Sequence, residues 1–257
     1  VSFRAVGGGS GKSCDLDHFD LEDPACFQLI VWNPEADEII GGYRFTRWKM
    51  ASFHPNGQPY VNTEHLFDFS QKFLDNEFPH CVEMARAFVQ PKYQSAAGGR
   101  KALFALDNLW DGIGGLIATD PTVKYLSGKV TIYSTSPEMS RKAMVDYLDM
   151  SFGDREGLIT SKNPETCTPE QAAFFKELFT GADYKENYAI LNNYVKSLGD
   201  SIPPFIHLYI GLSPTMKTFG TTFDPDFGDC YDTAMIITTD DIYPDKRKRY
   251  VESYEKC

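Results

Sequence analysis

One stretch constrains the fold more than any other. A β-like run at 81–89 is followed by the small-residue segment Gln94-Ser95-Ala96-Ala97-Gly98-Gly99 and then by Leu103, Leu106, Trp110, Ile113 and Ile117. The last five recur at three- and four-residue intervals, the period of a helix buried along one face. A strand, a flexible connection and a buried helix in that order predict a mixed α/β fold.

The rest of the chain alternates in the same way, with no internal repeat. Phe-Gln-Leu-Ile-Val-Trp at 27–32 reads as a strand, and 38–49 reads as its hairpin partner across Asn33-Pro34-Glu35-Ala36-Asp37. A helix is predicted over 63–73, with Thr63 as cap and Leu66, Phe67 and Phe73 near one face. A strand at 129–134 precedes three helical segments, 137–152, 168–179 and 184–198; the second opens with Thr168-Pro169-Glu170-Gln171, a cap, a proline and polar first-turn residues. Strands return at 205–211 and 231–238, around a loop containing Phe223-Asp224-Pro225-Asp226-Phe227-Gly228-Asp229. The expected organisation is one domain over 1–257 with a helical insertion at about 137–198.

Charge and composition exclude several functions. With 25 basic against 36 acidic side chains the 257-residue chain carries −11, which argues against a generally basic nucleic-acid binder. At 42% apolar and 14% aromatic it is a folded chain rather than a disordered one. Six scattered cysteines without a C-x-x-C pair read as reduced thiols of a cytoplasmic protein. Apolar runs such as 27–32 and 234–237 are far short of the roughly 20 residues that cross a bilayer. Residues 1–11 lack the features of a secretory signal, and a chain opening on Val1 reads as having lost upstream sequence.

Familiar motifs fail on context. Val6-Gly7-Gly8-Gly9-Ser10-Gly11-Lys12-Ser13 ends like a phosphate-binding loop, but it has Val where that motif begins with Gly, only five residues precede it, and an acidic segment follows instead of a helix. Neither G-x-S-x-G nor H-E-x-x-H occurs, and the five histidines are dispersed. Asp15, Asp17 and Asp20 lack the central glycine and terminal glutamate of an EF-hand loop. No metal and no bound cofactor are expected.

The polar positions that remain form an ordered pattern: Arg4, then Asp15-x-Asp17-x-Phe19-Asp20, then Gly41-Gly42-Tyr43-Arg44, then Glu83-Met84-Ala85-Arg86, and finally Gly98-Gly99-Arg100-Lys101 at a helix start. This order resembles the acyl-carrier-protein-dependent branch of the GNAT acyltransferase superfamily. The ornithine-lipid and glycine-lipid N-acyltransferases, often labelled hemolysin-like, are most similar, and acyl-homoserine-lactone synthases more distantly so. The passages Glu83-Met84-Ala85-Arg86-Ala87-Phe88-Val89-Gln90-Pro91-Lys92-Tyr93 and Leu103-Phe104-Ala105-Leu106-Asp107-Asn108-Leu109-Trp110-Asp111-Gly112 resemble the glycine-lipid enzymes of Bacteroides-type bacteria in particular. Members of this family carry an amphipathic helix upstream of the Phe3-Arg4 position, where this chain starts. At Val130-Thr131-Ile132-Tyr133 lipid-forming relatives often have a glycine-cysteine-serine type sequence, which favours the glycine version here over the ornithine one.

The resemblance implies a mostly antiparallel central sheet flanked by helices, with one strand splaying from its neighbour to admit the acyl-carrier arm. Amide formation from a thioester needs a neutral amine and therefore a base. Glu83, on the strand beside that gap, is the candidate. By the period-two rule Arg86 lies on the opposite strand face unless a bulge intervenes; the family pattern makes it functional all the same. Arg4, Asp17, Asp20 and Arg44 are implied to shape the acceptor pocket, carboxylates meeting an amino group and an arginine a carboxylate. Read without the family, Arg44 fits a cross-strand salt bridge and Asp17 a loop cap equally well. Phe88, Val89, Gly98, Gly99, Arg100 and Lys101 are implied on the donor side, where a helix N-terminus suits a phosphopantetheine phosphate and basic residues attract an acidic carrier. Trp32, Trp48, Phe88, Phe104 and Trp110 read mostly as core.

The expected function is transfer of a long, 3-hydroxylated acyl chain from acyl carrier protein, with acyl-CoA as the other donor, to the α-amino group of glycine or ornithine in lyso-aminolipid synthesis. The expected place is the cytoplasm, with peripheral contact to the inner membrane. The alternatives are a lactone-forming enzyme that uses S-adenosylmethionine as acceptor, and a non-catalytic acyl-carrier or lipid-binding protein of the same fold.

Overall fold

The computed structural model describes residues 16–93 and 100–254, the side chains of residues 92 and 100–107 excepted. The strands are β1 (Cys26–Asn33), β2 (Glu38–Arg47), β3 (Phe67–Phe69), β4 (Cys81–Val89), β5 (Tyr125–Ile132), β6 (Ile159–Ser161), β7 (Lys217–Asp224) and β8 (Cys230–Thr238). The helices are α1 (His18–Leu21), α2 (Gln71–Asn76), α3 (Arg100–Thr119), α4 (Glu138–Phe152), α5 (Pro169–Leu178), α6 (Tyr184–Ser197), α7 (Pro204–Ile210) and α8 (Pro244–Tyr250).

A six-stranded sheet has the order β1-β2-β4-β5-β8-β7, and β3 pairs with β6 apart from it. Within the large sheet only β4 and β5 run parallel; every other pair is antiparallel. The mixed, mostly antiparallel sheet flanked by helices is therefore the expected architecture. Helix α3 lies against β1, β2 and β4. Its Leu109, Ile113, Leu116 and Ile117 are buried in one large apolar cluster with residues of α4 and α7. A second cluster gathers Trp48, Phe67, Phe69, Phe73 and Phe78, with Trp48 stacked on Phe78 at 5.0 Å and edge-on to Phe69 at 5.5 Å. Thr168 and Gln171 close a capping box at the start of α5.

Several expectations are corrected. The segment 63–73 is no single helix: a 3-10 turn, Asn62–His65, is followed by β3 and then by α2, which Ser70 caps. Phe67 and Phe69 are both buried on alternate positions against β6, and this period of two wins over the helical spacing of Leu66 and Phe73. The predicted strand at 205–211 is helix α7, in which Ile206, Tyr209 and Ile210 are the buried residues at helical spacing after a proline at the first position. The strand expected at 129–134 starts earlier, at Tyr125, and β7 was missed. Trp32 is 47% exposed on the edge strand β1 and does not belong to the core. Among the described residues no helix is long and apolar enough to cross a membrane.

Candidate active site

The site begins where two strands part. The parallel ladder of β4 and β5 runs from Cys81 opposite Tyr125 to Met84 opposite Gly128 and stops. Beyond it, residues 85–89 stay paired with β2, while residues 129–132 stay paired with β8. Tyr209 of α7 enters at this fork. A Cβ at Gly128 would lie 2.6 Å from the Tyr209 hydroxyl oxygen and 3.2 Å from the Met84 carbonyl, so glycine is what lets the phenol approach. Burial first, and the charge of Glu83 second, push the Tyr209 phenol up. Burial and the Tyr209 hydroxyl do the same for Tyr43, whose hydroxyl is buried without a hydrogen-bond partner among the described residues. Both phenols therefore stay protonated at neutral pH and available as donors.

Glu83 occupies the last rung but one of that ladder, opposite Ser127 on β5 and Thr46 on β2. It is 1% exposed. Its Oε2 accepts from the Trp48 indole at 3.1 Å and its Oε1 from the Thr63 hydroxyl at 2.5 Å. Two donors on one buried carboxylate fix its orientation and offset its desolvation. Trp48 is therefore core and site at once.

On the neighbouring strand Arg44 is also 1% exposed. Its Nη1 donates to Asp17 at 2.8 and 3.1 Å and lies 3.2 Å from Asp20. The two aspartates are held by each other: Asp17 caps α1 and accepts from the Asp20 amide, while the Asp20 side chain accepts from the Asp17 amide. Asp17 is thus both the cap and the arginine partner, and Arg44 pairs with a helix rather than across strands. Arg86 completes the group, donating to Asp17 at 2.9 Å and lying 3.8 Å from Asp20. The β2–β4 register shifts between Gly42 and Arg44, opposite Phe88 and Ala85, and Arg86 takes a left-handed backbone with φ 53°. This is the bulge on which the placement of Arg86 depended. Burial opposes ionisation of Asp17, but the charges of Arg44 and Arg86 and the Arg44 hydrogen bond outweigh it and hold the carboxyl below its usual range. The Arg44 Nε is buried with no partner among the described residues. Three carboxylates and two guanidiniums thus line one face beside the fork.

A family model for the acetyltransferase (GNAT) domain matches residues 1–102. The glycine N(alpha)-acyltransferase of Phocaeicola vulgatus is 43% identical over 256 residues, covering 100% of this chain and 78% of that protein. The chain belongs to the glycine N(alpha)-acyltransferase family. The corresponding protein of Bacteroides thetaiotaomicron is likewise 43% identical, over 99% of this chain and 75% of its own length. The solved aminoglycoside 6′-N-acetyltransferase of Enterococcus faecium overlaps at a TM-score of 0.35 and 11% identity, over 86% of this chain and 76% of that chain, too loosely to match residues. As a member of the glycine N(alpha)-acyltransferase family the protein is an acyltransferase.

In this family member the structure gathers Glu83, Arg86, Asp17, Asp20 and Arg44. Phe88 and Val89 lie on the β4 segment that has left β5, Phe88 half-buried and Val89 buried. Arg100 and Lys101 open the 20-residue helix α3, with their side chains outside the described set, as is that of Phe104. Arg4, Asp15, Gly98, Gly99 and the 6–13 motif lie outside the described residues. Trp110 is half-buried, edge-on to Tyr209 at 6.2 Å. Sequence reasoning missed Thr63, read as a helix cap, and Tyr209, read inside a strand. The helical spacing of Ile206, Tyr209 and Ile210 was the signal that could have placed the second; nothing local marked the first.

Proposed function

We propose that this acyltransferase moves a long, 3-hydroxylated acyl chain from acyl carrier protein to the α-amino group of glycine, forming an N-acylglycine for lyso-aminolipid synthesis. The observation that carries the reading is the buried Glu83 carboxylate at the fork of β4 and β5, held by Trp48 and Thr63 beside the Asp17, Asp20, Arg44 and Arg86 group. The acceptor names of the two relatives support glycine.

In this mechanism the acceptor arrives as a zwitterion. Carboxylates of the Asp17 and Asp20 pair attract its ammonium, and the unpartnered Arg44 Nε faces its carboxylate. Glu83 takes the proton that leaves a lone pair on nitrogen. The C–N bond then forms as the C–S bond breaks. The departing thiolate takes a proton from the Tyr209 hydroxyl as that hydroxyl receives the second nitrogen proton, so the buried phenol ends protonated as it began, and Glu83 then releases its proton to solvent. The N-terminus of α3 suits the phosphate of the carrier arm, and acyl-CoA carries the same arm and is the alternative donor.

Donor and acceptor of these classes place the reaction in the cytoplasm, with the product released at the inner face of the membrane. The chain acts as one acyltransferase domain over 1–257, with 137–198 as its insertion.

The test offers 3-hydroxyacyl-carrier protein, or the matching acyl-CoA, to the full-length enzyme with a mixture of glycine, ornithine, serine and S-adenosylmethionine, and identifies products by mass spectrometry. N-acylglycine formed faster from the carrier protein, and lost in Glu83→Gln, is the expected result. A lactone, or acylation of another amine, overturns the acceptor; carrier binding without any product overturns the reaction.

A further inference from the structure

We propose that His65, Asp224 and Asp226 bind one divalent transition-metal ion. His65 ends the 3-10 turn Asn62–His65, Asp224 is the last residue of β7, and Asp226 lies in the next 3-10 turn, Pro225–Phe227. One potential ligand atom from each lies within 4.8 Å of the other two. The His65 Nε2 and Asp226 Oδ2 are 3.1 Å apart. Two ligands bound at about 2.1 Å on adjacent corners of a tetrahedron or octahedron sit about 3.0–3.4 Å apart, so one edge of the coordination figure already has its length.

Asp224 is 7% exposed, and only its Oδ1 has a partner, the Asp226 amide at 3.0 Å; its other oxygen has none among the described residues. A carboxylate largely removed from water that accepts a single hydrogen bond gains from a cation beside it. Asp232, 4% exposed, stands diagonally from Asp224 across β7 and β8 and adds a second carboxylate, which accepts from the Thr131 hydroxyl at 2.7 Å and has Lys129 as its cationic neighbour. A dication bound at the second Asp224 oxygen offsets the charge of the two carboxylates. One imidazole with two carboxylates suits zinc or manganese better than calcium or magnesium, which favour oxygen donors throughout. Water completes the shell.

The position gives the ion a consequence. Thr63, two residues before His65 on the same turn, donates to Glu83. An ion shared between that turn and β7 holds Thr63 in place, so the ion positions the base without touching substrate. This consequence rests on the reading of Glu83 above; the binding itself does not.

The experiment strips the tag-free, full-length protein with chelator and measures Mn²⁺, Zn²⁺ and Mg²⁺ binding by equilibrium dialysis, alongside melting temperature. His65→Ala and Asp226→Asn are the variants, since both side chains are more than half exposed and removing them does not endanger folding. Glu83→Gln is the control that separates this site from the reaction. We expect one Mn²⁺ or Zn²⁺ per chain, a higher melting temperature with the ion, and affinity lowered in each variant by more than the roughly 10–100-fold that loss of an outer-shell partner costs. Binding should be unchanged in Glu83→Gln. Equal binding by wild type, His65→Ala and Asp226→Asn, or none at all, overturns the site.

Discussion

Arg86 donates to Asp17 across 2.9 Å from a backbone held in the left-handed region, at φ 53°. A non-glycine residue there costs about 1 kcal/mol, so the fold accepts strain in order to turn this guanidinium toward the aspartate pair. Arg86→Gly and Arg86→Ala both remove the contact, but only glycine relieves the backbone. The glycine variant should be the more stable by about 1 kcal/mol in denaturant melts, and both should show an acceptor KM raised about tenfold or more. Equal stabilities would mean that the bulge carries no strain.

Glu83→Gln keeps the shape of the carboxylate but not its basicity. Turnover should fall by roughly 10²- to 10⁴-fold, the usual value of a positioned base. Thr63 can reverse its hydroxyl to meet the new amide, so the circular dichroism and melting profile should stay close to wild type. Single-turnover measurements at saturating donor check this, and retained activity would assign the base elsewhere.

Gly128 and Tyr209 form a pair that a mutant cycle can test. Tyr209→Phe removes a hydroxyl with no hydrogen-bond partner among the described residues and should leave stability unchanged while slowing turnover. Gly128→Ala places a methyl 2.6 Å from that oxygen and should cost about 1–3 kcal/mol. In the Tyr209→Phe background the same alanine should cost less, and additive costs would show that the two do not touch.

Asp17 sets an acid limit. Its carboxyl titrates lower in the fold than in the unfolded chain because Arg44 and Arg86 outweigh the effect of burial. Its contribution to stability is therefore complete above about pH 4, the ordinary aspartate value, and is lost as pH falls through the lower, folded value. Denaturant melts between pH 2 and 6 should show wild type losing stability on acidification more steeply than Asp17→Asn. Parallel curves would remove Asp17 from the account.

What the residues determine by themselves is what lies within a few positions of each other. The spacing of Leu106, Trp110, Ile113 and Ile117 marks α3, Thr168 and Gln171 mark the start of α5, and the apolar run at 27–32 marks β1. The order of the Asp17, Arg44, Glu83 and Arg86 motifs, together with the passages at 83–93 and 103–112, carries the resemblance to the family. Tertiary structure decided the rest. Whether 63–73 is helix or strand depended on β6, some 90 residues on, and whether Arg86 joins Asp17 depended on a one-residue register shift against β2. Thr63 meets Glu83, Tyr209 meets Gly128 and His65 meets Asp224 only after the chain has closed over long distances. Helical and strand periods encode which face a residue occupies; they carry no information about which distant residue packs against that face, and it is there that the buried carboxylates of this protein find the groups that hold them.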